Sequence, residues 1–280
     1  MEVRLRTPGQ YAKRILLYLF LFIGAFTMVI PFIWMVTTSL KPLNEVFTFP
    51  PTLFGSKLAF ENYGQLFERF PFMLYLFNSF KVSFWVVLLQ LLTSCMAGYV
   101  FARIKFKGVD KLFLLYLATM MVPFQVTVIP NFVMMKTYGL VDTHWSLILP
   151  AVVSAYGTFL LRQFFVTVPQ ALEDSAKIDG CNHFQIFSRI MMPMAKPTIT
   201  TLLIFIFMGV WNDYFNPFIY INSENLKTLP LGIATMQGMY MTNWPALMAG
   251  AFLSMIPVLI AFIIGQDQFV KGVMLSGMKD

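Results

Sequence analysis

The chain has 280 residues, of which 58% are hydrophobic and only 12% are charged. An ordinary soluble domain carries about 25% charged residues, and a soluble fold of this size could not bury so much apolar surface. The net charge of +7 comes without a basic run or a basic-aromatic patch, which argues against a nucleic-acid partner and favours a protein embedded in a lipid bilayer.

Six apolar runs follow one another along the chain, and each can cross about 30 Å of hydrocarbon as a helix. The first is too long for the apolar part of a cleavable signal, so we interpret it as a retained span. The fourth is long enough only if its helix continues past Arg162. The sequence therefore predicts an all-α integral membrane protein with a single transmembrane domain over 1–280 and spans near 15–37, 79–101, 112–135, 145–161, 199–221 and 246–264.

The distribution of Lys and Arg predicts the orientation of these spans. Fourteen of the 20 basic residues fall on one side, in 4–14, 103–111, 162–196 and 271–279. Because cytoplasmic loops carry the excess of Lys and Arg, both termini are predicted to be cytoplasmic.

The connections between the spans are too short for a second, enzymatic domain. The chain contains no G-x-x-x-x-G-K-[ST] phosphate loop, so any ATP that it uses must be bound by another polypeptide. Cys95, Cys181, His144 and His183 are each isolated from other ligand-type residues. We therefore predict no catalytic residue, metal site or cofactor in this chain.

The longest connection on the predicted cytoplasmic side, loop 162–198, has the pattern of two short helices. Thr167 is a candidate N-cap for the first helix, in which Glu173 can pair with Lys177 one turn later. Gly180 supplies the left-handed residue that ends such a helix.

A second helix is predicted to begin at Asn182, with Gln185 completing a cap. Phe184, Phe187 and Met191 recur on one face, and Pro193 is predicted to stop the helix. These features alone also fit a plain interfacial hairpin that packs under the bundle.

The order of residues in this loop resembles the EAA-x3-G-x9-I-x-L-P loop of ABC (ATP-binding cassette) importer permeases. The match runs through Asp174-Ser175-Ala176, then Gly180, then Ile190-Met191-Met192-Pro193. It departs from the pattern in Asp for Glu, Ser for the first Ala, and Met for Leu before the proline.

Further likeness extends over nearly the whole chain and resembles the smaller, MalG-like subunit of maltose-type carbohydrate permeases. It lies at Thr38-Ser39-Leu40-Lys41, Asn78-Ser79, Ala102-Arg103, Trp211-Asn212 and Phe269-Val270-Lys271-Gly272. The resemblance implies a homologous second permease subunit, two cytoplasmic ABC ATPase subunits that carry ATP and Mg, and an extracytoplasmic solute-binding protein. It also implies a multi-pass protein of the bacterial plasma (inner) membrane.

In such importers the loop docks on the ATPase and transmits its closure to the spans. The resemblance assigns this coupling role to Glu173, Asp174, Ser175, Ala176, Asp179, Gly180, Phe184, Ile190 and Pro193.

A polar stretch in the fifth predicted span is a candidate for the substrate pathway. Amides and a carboxylate can bond sugar hydroxyls, while aromatic rings stack on the apolar side of the sugar. The alternative is an aromatic belt at the outer interface, in which Asp213 reaches water. The candidate residues are Trp211, Asn212, Asp213, Tyr214 and Asn216.

The outer loop 222–245 corresponds to the loop that reaches into the binding protein in the maltose-type family. The residues implied here are Gln237, Gly238, Met239 and Tyr240.

We therefore predict a non-catalytic permease subunit of an importer for a sugar or oligosaccharide. An importer of the same architecture for a polyol, glycerol phosphate or another small polar solute is the nearest alternative. A self-powered secondary transporter would need acids near the midplane, where only Asp213 is available. A membrane enzyme would need a convergent cluster of His, Asp, Glu or Cys, and the sequence shows none.

Overall fold

The computed structural model describes residues 8–238 and 242–277, with side chains described for 13–238 and 242–267. In these ranges the chain is helical and contains no strand. The α-helices are α1 (Pro8–Ser39), α2 (Glu61–Arg69), α3 (Phe72–Arg103), α4 (Val109–Ala118), α5 (Phe124–Thr137), α6 (Trp145–Ile148), α7 (Ala155–Thr167), α8 (Gln170–Ile178), α9 (His183–Ile186), α10 (Met192–Met194), α11 (Lys196–Trp211), α12 (Phe215–Tyr220), α13 (Leu229–Ala234) and α14 (Trp244–Gly277).

Four stretches of the described residues are long and apolar enough to cross a membrane as they stand. They are Lys13–Ser39, Phe72–Arg103, Trp145–Thr167 and Trp244–Asp267. Two further spans are possible if each of two bent helix pairs is counted as one: Val109–Met121 with Phe124–Thr137, bent by 97°, and His183–Met194 with Lys196–Trp211, bent by 76°. The predicted all-α membrane fold is confirmed, with four to six spans.

The predicted fifth span over 199–221 is not one continuous helix. Helix α11 ends at Trp211, and a separate short helix, α12, begins at Phe215. The break arises because the side chains of Asn212 and Asp213 bond to the local backbone, which ends one helix and starts the next.

The chain divides into two compact units, each made of two segments. Unit 1 comprises Met1–Pro71 and Thr235–Leu253, and unit 2 comprises Phe72–Ala234 and Ser254–Asp280.

Unit 1 contains a tight turn after α1, which is built around a buried lysine. Lys41 is only 1% exposed, its ammonium donates to the carbonyl of Thr52, and it lies 4.7 Å from the centroid of the Trp34 ring. The amide of Asn62, on α2, donates to the carbonyls of Ser39 and Lys41 at 2.9 Å each. These bonds satisfy the Ser39 carbonyl, which the end of α1 leaves without an intrahelical partner, and the Lys41 carbonyl in the turn that follows.

Unit 2 is built on the close packing of α3 against α7. A Cβ added to Gly98 would lie 2.9 Å from the Cβ of Leu161, and one added to Gly157 would lie 2.5 Å from the Oγ of Ser94. Small residues at such crossings let two membrane helices approach closely. Leu202 of α11 joins Leu161 and Phe165 of α7 in the buried core of this unit.

Candidate functional site

The first half of loop 162–198 forms α8, but its start differs from the prediction. Helix α7 continues through Thr167, whose hydroxyl donates back to the carbonyl of Phe164 at 2.7 Å. Because that hydroxyl already has a partner in its own helix, Thr167 does not cap α8. The N-cap position is instead occupied by Pro169, with no side-chain cap.

The two acidic residues of α8 point in opposite directions. The side chain of Asp174 is 60% exposed and lies 4.0 Å from the ammonium of Lys177. Glu173 is 1% exposed, and its carboxylate lies 2.9 Å from the Nε of Arg103, the last residue of α3. The predicted pairing of Glu173 with Lys177 is therefore wrong, because Glu173 lies on the inward face of α8.

Arg103 makes further contacts around the α7–α8 turn. Its guanidinium donates through Nη2 to the carbonyls of Phe165, at 2.5 Å, and Val168, and through Nη1 to the side chain of Gln170 at 3.2 Å. From sequence, Arg103 served only to predict orientation and resemblance, so this role was missed. Its position directly after an apolar run was the available signal.

Gly180 ends α8 as predicted. Its φ angle is +82°, and a Cβ added there would meet nothing within 4 Å, so the backbone conformation rather than space requires glycine. The amide of Cys181 donates to the carbonyl of Ala176 at 2.9 Å, and that of Gly180 donates to the carbonyl of Lys177 at 3.0 Å. These two bonds form a Schellman motif, with Asp179 as the C-cap.

The second helix of the loop begins with the predicted cap. The Asn182 side chain accepts from the amide of Gln185, and the Gln185 side chain accepts from the amide of Asn182, both at 2.9 Å. The helix then passes through a π-helical turn, Phe187–Met191, and ends at Met194. Pro193 lies one residue before this end, so the predicted stop agrees with the structure to within one residue.

The predicted apolar face of this helix is split. Met191 is fully buried, and the ring of Phe187 lies 5.2 Å from that of Tyr99 on α3. Phe184, in contrast, is 73% exposed, as is Ile178 at 87% on the other side of Gly180. The loop thus exposes two large apolar side chains, one on each side of Gly180, as well as the Asp174 carboxylate.

The remaining predicted loop residues support the helices. Ser175 donates to the carbonyl of Ala171 at 2.8 Å, and Ala176 is buried. Ile190 packs against the core of unit 2, and Pro193 is exposed.

The polar stretch after α11 does not present all of its residues to one site. Trp211 is 2% exposed, its indole donates to the carbonyl of Ser254 at 2.9 Å, and Phe80 packs against its ring. It has no free face for a sugar. Asn212 donates to the carbonyl of Met208 at 2.8 Å, and Tyr214 is exposed.

Asp213 and Asn216 line a cavity of about 260 Å³ within unit 2. The carboxylate of Asp213 accepts from the amide of Asn216 at 3.1 Å and from its side-chain nitrogen at 2.7 Å. Further polar groups come from α3, α5 and α6 and from the turn before α13, and sequence reasoning missed them: Ser79, Asn131, Ser146 and Thr228.

The turn that follows α12 is held by one carboxylate. Asp142, whose φ angle is +61°, accepts from the amides of Asn222 and Ser223 at 2.9 and 2.8 Å and from the Ser223 hydroxyl at 2.5 Å. These bonds, that from the Ser223 hydroxyl above all, lower the pKa of Asp142.

The outer loop is described in part. Gln237 and Gly238 are exposed, whereas Met239 and Tyr240 lie outside the described residues. Among the residues with described side chains, no three His, Cys, Asp or Glu are grouped as a metal site.

Residues 94–274 match the family model described as binding-protein-dependent transport system inner membrane component. The chain is 35% identical over 258 residues to the arabinooligosaccharides transport system permease protein AraQ of Halalkalibacterium halodurans, covering 91% of this chain and 92% of that protein. It is 34% identical over 262 residues to the lactose transport system permease protein LacG of Rhizobium radiobacter, covering 94% and 95%. Its fold matches a chain of a bacterial ABC transporter involved in the import of the acidic polysaccharide alginate, with a TM-score of 0.86 and 20% sequence identity, over 95% of this chain and 100% of that chain.

Proposed function

The chain belongs to the family of binding-protein-dependent transport system inner membrane components, and we propose that, as the permease subunit of a sugar or oligosaccharide ABC importer, it forms half of the translocation pathway. It is a multi-pass protein of the inner membrane. The other half of the pathway belongs to a homologous second permease subunit. ATP and Mg are bound by two cytoplasmic ATPase subunits, and an extracytoplasmic binding protein delivers the solute.

Loop 162–198 is the part that couples the ATPase to the spans in this proposal. The observation that carries the proposal is the surface around Gly180, where Ile178 and Phe184 are 87% and 73% exposed. Burial of large apolar side chains in a partner's groove removes apolar surface from water, which stabilises the complex. Asp174 adds a carboxylate that an ATPase arginine can bind.

The cavity beside Asp213 is the proposed point of contact with solute. Its lining combines the carboxylate of Asp213 with the amides of Asn131 and Asn216 and with hydroxyl groups, which together can donate to and accept from sugar hydroxyls. Gln237 to Tyr240 remain the proposed contact with the binding protein.

The proposed orientation places both termini and loop 162–198 in the cytoplasm, within a single transmembrane domain over 1–280. The excess of Lys and Arg on that side supports it. Reporter fusions after residues 57, 140 and 235 should read outside, and those after 107, 180 and 275 inside. A reporter fused after residue 107 or 180 that lies outside the cytoplasm would contradict this orientation.

The test of the function is reconstitution of the complete complex in proteoliposomes with its purified binding protein. The probes are radiolabelled arabinotriose and lactose. Glycerol and glycerol 3-phosphate are measured as well, because they test the alternative of a polyol or glycerol phosphate importer. We expect uptake of an oligosaccharide that needs both ATP and the binding protein. Uptake of glycerol 3-phosphate alone, or sugar uptake that persists without ATP, would overturn the proposal.

A further inference from the structure

Arg103 stands at the junction of three helices. It is the last residue of α3, its side chain is 7% exposed, and its Nε forms an ion pair with the Glu173 carboxylate at 2.9 Å, without hydrogen-bond geometry. Through its two terminal nitrogens it also binds the carbonyls of Phe165 and Val168 and the side chain of Gln170. One guanidinium therefore holds the end of α7, the start of α8 and the end of α3 in a fixed relation.

A buried ion pair of this kind is a poor means of gaining stability. Removing two charges from water costs about as much as their attraction returns, and apolar residues of similar volume are often as stable. What the arrangement does supply is geometry, because the terminal nitrogens of the planar guanidinium donate to three acceptors in set directions. This points to a positioning role rather than a stabilising one.

The opposite end of α3 is tied to the wall of the polar cavity. The amide of Asn78 donates to the carbonyls of Asn225 and Lys227 at 2.9 Å each, and the hydroxyl of Ser79 accepts from the amide of Leu229 at 2.7 Å. Ser79 itself lines the cavity.

The helix between these ties is suited to act as a rod. Its sequence contains no proline, and about 36 Å of helix separates Ser79 from Arg103 at 1.5 Å per residue. Midway along it, Thr93 donates to the carbonyl of Val152 at 2.6 Å, next to the cavity-lining Ala151.

We propose that Arg103 is a positioning residue of the transport cycle, which ties α8 to α3 so that movement of α8 on ATPase closure displaces the cavity wall at Ser79 and Ala151. The proposal rests on the coupling role of loop 162–198 proposed above. It predicts that loss of the Arg103–Glu173 pair separates ATP hydrolysis from movement at the cavity.

The experiment measures movement at the cavity directly, without a solute. In the complete complex in nanodiscs, Cys95 and Cys181 are replaced by alanine and a single cysteine is introduced as Ala151→Cys. Its rate of labelling by a fluorescent maleimide is compared between the nucleotide-free complex and the complex trapped with ATP, Mg²⁺ and vanadate. Complex yield and ATP hydrolysis are measured in parallel.

The decisive variant is the double substitution Arg103→Met with Glu173→Met. Each single substitution leaves an unpaired buried charge and should lower the yield of complex, whereas the double variant should restore the yield to within about two-fold. We expect the parental labelling rate to change at least five-fold between the two states. In the double variant the change should fall below two-fold while ATP hydrolysis continues.

Two further variants guard this interpretation. Arg103→Lys keeps a positive charge for Glu173 but lacks the fork of donors, so it should assemble at parental yield with a reduced labelling change. Arg162→Met is the matched control: this arginine of α7 lies 3.5 Å from Asp110 and donates to the carbonyl of Phe101 on α3 at 3.2 Å, and neither of these bonds reaches α8, so the labelling change should be kept.

The outcomes separate this inference from the function on which it rests. A full labelling change in the double variant or in Arg103→Lys would overturn the role of Arg103 alone. A parental complex that transports sugar without a labelling change at Ala151→Cys would do the same. A parental complex that neither transports sugar nor responds to nucleotide would remove the proposed function, and this inference with it.

Discussion

Two of the breaks between consecutive helices in unit 2, one at Gly180 and one between Trp211 and Phe215, are built by different means. At Gly180 the break is made by the backbone: a left-handed glycine and a Schellman motif end α8, and a capping box starts α9. Between Trp211 and Phe215 it is made by side chains, with Asn212 bonded back to Met208 and Asp213 bonded forward to Asn216.

The difference decides what each break presents to its surroundings. Because the Gly180 turn satisfies its own backbone, its neighbours Ile178 and Phe184 are left exposed for a partner. At the second break Asp213, whose side chain satisfies a backbone amide, also lines a cavity. The same carboxylate can therefore stabilise the fold and bind solute. Substitutions at the first break should therefore act on coupling, and those at the second on solute.

The largest effect is expected from Gly180→Val. A β-branched residue at a φ angle of +82° is strained by about 1–2 kcal/mol or more, which should reorient α9 relative to α8. Uptake in proteoliposomes should fall at least ten-fold, with the protein still inserted in the membrane. Gly180→Asn is the control, because asparagine tolerates this conformation and should keep most of the uptake. Parental uptake in the valine variant would show that the turn is not needed for coupling.

A smaller effect is expected at the second break. Two variants of Asp213 distinguish its role in capping the helix from its proposed contact with solute. Asp213→Ala removes the bonds to Asn216, and the loss of this capping interaction should lower the free energy of unfolding by about 1 kcal/mol. Uptake should slow several-fold. Asp213→Asn keeps an acceptor for the Asn216 amide but removes the charge. If it restores the fold, measured by thermal melting, yet raises KM for solute, the carboxylate contacts solute. Parental KM in both variants would favour the aromatic-belt alternative.

The smallest effect is expected from Asp142, which anchors the turn downstream of the second break. Its pKa is lowered in the folded protein, so its carboxylate stabilises the fold above the ordinary value of 3.8, and this contribution is lost as the pH falls through the folded pKa. The Tm of the detergent-solubilised protein should fall between about pH 5 and pH 3. Asp142→Asn, which also tolerates a φ angle of +61°, should show a shallower fall. Equal slopes in the two proteins would contradict this role.

The first break could be predicted almost completely from sequence because its signals are local. Gly180, Asn182 and Gln185 lie within six residues, and caps depend on neighbours three or four positions away. The partner of Glu173 could not be predicted in this way. Lys177 is four residues distant and Arg103 is seventy, and the choice between them depends on which face of α8 is buried.

The second break was hidden by its composition. The apolar run over 199–221 continues across it, so hydropathy alone predicts one span. A local signal was present, since Pro217 follows Asp213 by four residues, as proline does in the first turn of a new helix. The burial of Trp211 depends on Phe80 and Ser254, which are distant in sequence. The cavity likewise gathers residues from several helices.

The central claim is that the exposed surface around Gly180 docks on the ATPase, and site-specific photo-cross-linking tests it most directly. Benzoylphenylalanine is placed at Ile178 and at Phe184, with Phe49 as the control because it is 96% exposed and lies on the proposed outer side. In membranes that contain the whole complex, the first two positions should cross-link to the ATPase subunit, and position 49 should not. Absence of an ATPase cross-link at both loop positions in an assembled complex that transports sugar would contradict the account.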